Sequence, residues 1–207
     1  MGSKASTDTR ALILEAAKGL LRRFGPGKLT VVDIARELQM SHANVYRFYR
    51  TKAEILDAIS DEWLTQLESF VEEIARRHIS AAARIEAVVL ELHRKRKRKF
   101  LKDAEVFEAY RRIVEVRPEV AERRRAKIQA VFHRLLEEGI ESGEFGPMDC
   151  LKVSTALKDA TAMFLHPLLI PSTIQQPTEA RARNVVRFIL AGCAKARAEN
   201  LKSKVGL

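Results

Sequence analysis

Apolar residues recur at spacings of three and four along almost the whole chain, and no stretch alternates with period two between hairpin turns, so the pattern predicts an all-α fold. Thr7 or Asp8 is placed to cap a first helix with an inward stripe of Ile13, Ala16, Ala17, Leu20, Leu21 and Phe24, ended by Gly25-Pro26-Gly27. A long helix follows from Lys52 to about His78, carrying Ile55, Leu56, Ile59, Trp63, Leu67, Phe70, Val71 and Ile74. The next runs from about Ala82 to Lys97 with Ile85, Val88, Val89 and Leu92. Asp103 is placed to cap another that contains Val106, Phe107, Tyr110 and Ile113. Pro118 suits the first turn of a helix reaching Glu141, with Ile128, Val131, Phe132, Leu135 and Leu136 inward, broken up and ended by Gly139, Gly143 and Gly146-Pro147. Two helices remain, Asp149 to Leu169 and Thr178 to Asn200, with a loop from Pro167 to Pro177 between them.

Between the first helix and the long one, residues 30–52 read as two short helices joined by a tight turn. Thr30 caps the first of these, with Asp33 as its capping-box partner, and Ile34, Ala35 and Leu38 form the apolar face. Gln39-Met40 makes the turn. Either that turn avoids positive φ, or Gln39 tolerates it at roughly 1 kcal/mol. Ser41 caps the second helix, whose inward face is Val45 with Phe48 or Tyr49, leaving His42, Ala43, Asn44 and Arg47 outward. This is helix-turn-helix geometry with a short polar recognition helix. Asn pairs bidentately with adenine, Arg with guanine, and the Ala methyl contacts a thymine methyl, so these four residues are candidates to face the groove. Two readings of Arg47 stand, a base contact and a phosphate contact.

The segment resembles the tetracycline-repressor (TetR) family. Thr30, Ile34-Ala35, Ser41, Ala43, Val45-Tyr46, Phe48-Tyr49, Lys52 and Glu54-Ile55-Leu56 stand in the register of the family pattern, while Gln39 replaces the usual Gly of the turn and Met40 the usual Val. The resemblance implies phosphate contacts from Thr30, Tyr46, Tyr49 and Lys52, roles that hydroxyls and an ammonium at helix edges suit. For Tyr49 a place in the small core is an equal alternative. The expected division is a DNA-binding domain over residues 1–52 and a helical body over 53–207 that binds an effector and dimerises.

Charge sharpens this picture. Of the net +10, residues 1–52 hold ten Lys or Arg against four Asp or Glu, a basic first quarter that suits a phosphate-binding module. The run His93 to Lys102 is also strongly cationic, and reads either as a solvated helix end or as an added attraction for DNA. Cys150 and Cys193 lack metal-ligand spacing and suit a reducing compartment. The scattered histidines form no catalytic or metal motif, and no Gly-rich phosphate loop is present, so no enzymatic activity, metal or cofactor is expected. With no membrane-length apolar segment and no targeting signal, a cytoplasmic location is expected.

In the body, the resemblance implies that the last two helices pair with their copies across a two-fold axis. Leu157, Ala182, Val186, Ile189, Cys193 and Ala196 are the candidate interface residues. It also implies a pocket for a small apolar molecule, with Phe100, Phe107, Tyr110, Phe132, Met163, Phe164 and His166 as candidate lining. The functional expectation is a ligand-released repressor acting as a homodimer on a pseudo-palindromic operator in double-stranded DNA. A helical architectural DNA-binding protein without an effector is the alternative.

Overall fold

A computed structural model describes residues 8–176 and 178–194 in full, together with the helical backbone of 2–7 and 195–205. Among these residues there are helices and turns but no strand. In chain order the helices are α1 (Gly2–Lys28), α2 (Val31–Glu37), α3 (His42–Tyr46), α4 (Lys52–Ala75), α5 (Ala81–Lys102), α6 (Ala104–Val116), α7 (Pro118–Glu141), α8 (Cys150–Ala160), α9 (Ala162–Leu165), α10 (Ile170–Thr173) and α11 (Thr178–Val205). They form two compact units. Residues 1–66 and 99–116 make the first, residues 67–98 and 117–207 the second.

In the first unit α1–α3 share one apolar core with the start of α4 and with α6: Ile13, Ala17, Leu20, Leu21, Ile34, Ala35 and Val45 pack with Ile55, Ile59 and Val106. Three helices of this total size bury a small core, and α4 and α6 add apolar surface to it. Asp103 accepts from Arg22 of α1 at 3.0 Å and from Lys99 at 2.6 Å, tying α6 to its neighbours. Burial alone would raise the Asp103 carboxyl, but these two donors outweigh it and hold the group below its ordinary value.

Three local expectations change here. Helix α1 is already formed at Gly2, so neither Thr7 nor Asp8 caps its start. Phe24 is exposed, with the Arg23 guanidinium 5.5 Å above its ring, and does not continue the inward stripe. The helix does break where the glycines stand: Gly25 takes φ 76, a left-handed conformation open to a residue without Cβ.

In the second unit α7 packs on α8, and α11 packs on α8 and α9. Val88, Val89, Leu92, Phe132, Leu135, Leu157, Phe164, Ala182 and Val186 are all buried there. Pro118 occupies the first turn of α7. Gly139 lies inside α7 rather than breaking it, and the reversal comes at Gly143, with φ 71. Glu144 then accepts from the backbone N–H groups of Ala81 and Ala82 at 2.6 and 2.9 Å, satisfying the orphan donors of α5. The expected helix from Asp149 to Leu169 is interrupted. Thr161 ends α8 with its hydroxyl on the Leu157 carbonyl at 2.6 Å, and extended backbone at His166 ends α9 before Pro167.

The basic run on α5 is largely engaged within the protein. Arg94 pairs with Glu179, Lys95 lies 3.9 Å from the centre of the Phe70 ring, and Arg96 is only 4% exposed. His93 is buried as well, its ring nitrogens 2.8 Å from the Phe164 carbonyl and 2.8 Å from the Thr178 hydroxyl. A solvated helix end does not describe His93 or Arg96, while Arg94 stays exposed beside its carboxylate. Among the described residues no helix is long and apolar enough to cross a membrane.

Candidate nucleic-acid interface and ligand recess

The reading head is held by two caps. The Thr30 hydroxyl oxygen accepts from the Asp33 N–H at 3.1 Å while its proton goes to the Asp33 carboxylate, so the predicted pair forms hydroxyl to carboxylate. Ser41 Oγ accepts from the Asn44 N–H at 3.2 Å. Between these helices Gln39 sits at φ 52, which decides the open question at the turn: the chain accepts a left-handed Gln where Gly would be unstrained. Met40 closes the turn by donating its N–H to the Ala35 carbonyl at 2.8 Å.

Val45 is fully buried and anchors α3 to the core. The side chains of Ser41, His42, Ala43, Tyr46 and Arg47 are exposed and Asn44 is half-buried, so the polar face of the helix stands free of the mini-core. Thr30 is exposed at the start of α2. Tyr49 is different: 5% exposed, it packs in the core with the Arg10 guanidinium 5.2 Å over its ring. Burial pushes its phenol above the ordinary value, and Arg10 only partly offsets this. Lys52 bends back to donate to the Gly27 carbonyl at 3.2 Å, so its ammonium sits beside the α1–α2 turn.

One stabilising element was missed in the sequence. Thr51 Oγ1 accepts from the Glu54 N–H at 3.1 Å and the Glu54 carboxylate accepts from the Arg50 N–H at 2.8 Å, a reciprocal cap that fixes the entry to α4 beside the reading head. The Thr-x-x-Glu spacing was its visible signal.

The candidate pocket residues divide between the units. In the first, Phe107 and Tyr110 are buried and stack edge to face with Trp63 at centroid distances of 5.9 and 5.3 Å, and Phe100 meets Phe107 at 5.5 Å. These aromatics fill a core. In the second, Phe132 and Phe164 are buried, while Met163 is largely exposed, its sulfur 3.6 Å from an Arg181 guanidinium nitrogen. His166 lines a narrow recess of about 10 Å³, room for about one water, with Arg96, Arg125, Lys158, Ile128 and Leu165 around it. Burial, then Arg125 and Arg96, hold the His166 imidazole below its ordinary value. The cationic lining carried no periodic signal in the sequence.

The candidate dimer residues lie mostly inside the chain. Leu157, Ala182, Val186 and Cys193 are buried against the second unit's own helices, Ile189 is half-buried, and Ala196 lies outside the residues whose side chains are described. Among the described residues, the large apolar side chains that α8 and α11 leave exposed are Leu151, at 61%, and Phe188, at 83%.

Comparison with known proteins completes the picture. Residues 13–59 match the family model described as bacterial regulatory proteins, tetR family, and residues 81–186 match the tetracyclin repressor-like C-terminal domain. Among solved structures, the chain is similar to a TetR-family regulator from Pectobacterium atrosepticum at TM-score 0.73 and 13% identity, covering 93% of this chain and 97% of that one. It is similar to a TetR/AcrR-family regulator from Thermobifida fusca at TM-score 0.65 and 20% identity, covering 89% and 98%. A further similar structure is the SmeT–triclosan complex, at TM-score 0.63 and 17% identity, covering 89% and 91%. At these identities the likeness is one of fold. No curated protein sequence matches the chain significantly.

Proposed function

The chain belongs to the TetR family of bacterial DNA-binding transcriptional regulators, and from that membership we propose that it is a homodimeric repressor, which occupies a pseudo-palindromic operator and leaves it when a small molecule binds its helical body. The observation that carries the reading is α3 itself. This five-residue helix is capped by Ser41 and pinned by Val45, and it presents His42, Ala43, Asn44 and Arg47 away from the core. A short rigid helix with an amide, a methyl and a guanidinium on its free face suits base-edge readout in a major groove. Thr30, Ser41, Tyr46 and Lys52 are the proposed phosphate contacts at its margins. Tyr49, buried under Arg10, is assigned to the core instead.

A second copy is the proposed occupant of the apolar surface left exposed on α8 and α11, where Leu151 and Phe188 project. Dimerisation through a two-fold axis would set two reading heads at a fixed spacing, and half-site spacing then follows from the dimer. For the effector, the helical body is the proposed site, and one structural neighbour is described as a complex with triclosan. An effector that binds the DNA-incompetent arrangement better draws the population away from the operator-bound one. Selection of bound sequences from a random duplex pool tests the reading. A two-fold symmetric consensus is expected, and recovery of unrelated sequences bound equally well would overturn it.

A further inference from the structure

Arg10 lies outside the two-helix segment of the reading head, yet the fold brings it there. It stands on α1, and its guanidinium lies 5.2 Å over the ring of Tyr49. Tyr49 in turn donates its N–H to the carbonyl of Val45, the residue that pins α3 to the core, at 3.1 Å. Arg10 is thereby held beside the C-terminal end of the recognition helix, within the first unit. Three features suit it to more than bracing. Tyr49 is 5% exposed and presents little to a phosphate, while the Arg10 side chain over it is exposed. Among the described residues no carboxylate pairs with Arg10. Glu62, whose charge bears on the Tyr49 phenol, accepts from Lys18 at 2.8 and 2.7 Å, and Glu15 takes the same ammonium at 2.7 Å. Finally, a ring face attracts a guanidinium through its quadrupole without consuming the N–H edge. The Tyr49 phenol, which Arg10 pulls down through charge and a hydrogen bond, cannot use all of those donors. An exposed guanidinium, already held in place and not neutralised, is well suited to grip phosphate oxygens in a fork, at less ordering cost than a free side chain.

We propose that Arg10 is a DNA-phosphate contact of the reading head, set in place by the Tyr49 ring and binding the backbone that flanks the C-terminal end of α3 in the groove. The inference rests on the reading of α3 as the recognition helix, and it adds a contact from α1, outside residues 30–52. Such a contact supplies charge and register but no sequence preference, because the phosphates repeat identically along the duplex.

Affinity of the full chain for the selected duplex and for a random one, measured at several salt concentrations, tests this with Arg10→Gln and Arg10→Lys. Arg10→Gln is expected to weaken both duplexes about tenfold at about 0.1 M salt and to flatten the log–log salt slope by about one, as the loss of one phosphate contact requires. Its melting temperature and its selected consensus are expected to match the parent's. Arg10→Lys keeps the charge without the planar fork, so the parental slope should return, with an affinity between the other two. A residue that only braces the fold gives the opposite pattern: a lowered melting temperature and a blurred consensus at an unchanged slope. That result would overturn the proposal, and so would an Arg10→Lys slope as shallow as that of Arg10→Gln. Parental affinity and slope in Arg10→Gln, beside a parent that selects a two-fold consensus, sinks the Arg10 contact and leaves the repressor reading intact. A parent that binds neither duplex sinks both.

Discussion

The ring of Phe145 lies so close over Gly139 that a Cβ on that glycine would stand 2.3 Å from its Cδ2 and 3.1 Å from the Cβ of Ala81. Phe145 is only 4% exposed and follows the Gly143 reversal, so it has little room to withdraw. A glycine mid-helix ordinarily loses about 1 kcal/mol relative to Ala, yet here the overlap dominates. Gly139→Ala is expected to destabilise by about 1–3 kcal/mol in urea unfolding. In a Phe145→Ala background the same change should be neutral or mildly stabilising. A penalty that persists there would show that Phe145 is not its source.

At the turn of the reading head, the left-handed Gln39 makes a second prediction. A β-branched residue tolerates φ near 52 poorly, so Gln39→Val is expected to lower stability by about 1–2 kcal/mol. Gln39→Gly relieves the strain while adding unfolded-chain entropy, leaving a net change within about 1 kcal/mol. Thermal melts of both variants decide the matter: equal melting temperatures would refute the strained turn.

The proposed DNA readout divides the polar residues by role. Asn44→Ala and Arg47→Ala are each expected to cost about 1–3 kcal/mol on the selected sequence and to relax preference at one position. Lys52, whose ammonium rests on the Gly27 carbonyl, is expected to contribute charge rather than a base contact. Its alanine variant should weaken all duplexes alike and reduce the log–log salt slope by about one. Relaxed sequence preference in Lys52→Ala alone would reverse the assignment.

Phe188, 83% exposed on α11, is the sharpest probe of self-association. A glutamate there meets its own copy or a desolvated neighbour in a dimer, at a penalty of several kcal/mol, yet sits harmlessly in water in a monomer. Sedimentation of Phe188→Glu is expected to show helical monomers where the parent sediments as a dimer. Val186→Glu, by contrast, places charge in the chain's own core and should unfold the second unit. A Phe188→Glu protein that stays dimeric would move the interface elsewhere.

Acid sensitivity follows from two imidazoles held below the ordinary value of 6.5. Burial lowers His93, with the Phe164 carbonyl pulling partly back; burial, Arg125 and Arg96 lower His166. Between the folded values and 6.5 the unfolded chain binds more protons than the folded one, so stability rises with pH there and falls on acidification from about 6.5. The depressed carboxyls of Glu68 and Asp103 act only below their ordinary 4.5 and 3.8, a separate window. Urea midpoints at about pH 7.5 and 5.5 are expected to differ less in His166→Gln than in the parent. Equal differences would remove His166 from the acid response.

The helical class, the two-helix reading head and its Thr30 and Ser41 caps were all legible in the chain, because each depends on residues within four positions of one another. So did the outward set on α3, once Val45 was assigned inward. What the periodicity left undecided was which of two apolar faces turns where. The stripe of Leu157, Ala182, Val186 and Cys193 has the composition of a subunit seam, yet it closes within one chain and leaves Phe188 outside. A helix apolar on more than one side carries no local mark of which neighbour covers which face, since that depends on where α8 and α9 pack against it. The basic run shows the same limit: Arg94 finds its carboxylate 85 residues away and Arg96 is buried, partners that no local window contains. Sequence alone settled the helical class, the course of the longer helices and the caps of the reading head through short-range spacing and capping. Tertiary structure alone decided which cations become buried walls and which apolar side chains stay exposed, because burial is a property of the assembled helices.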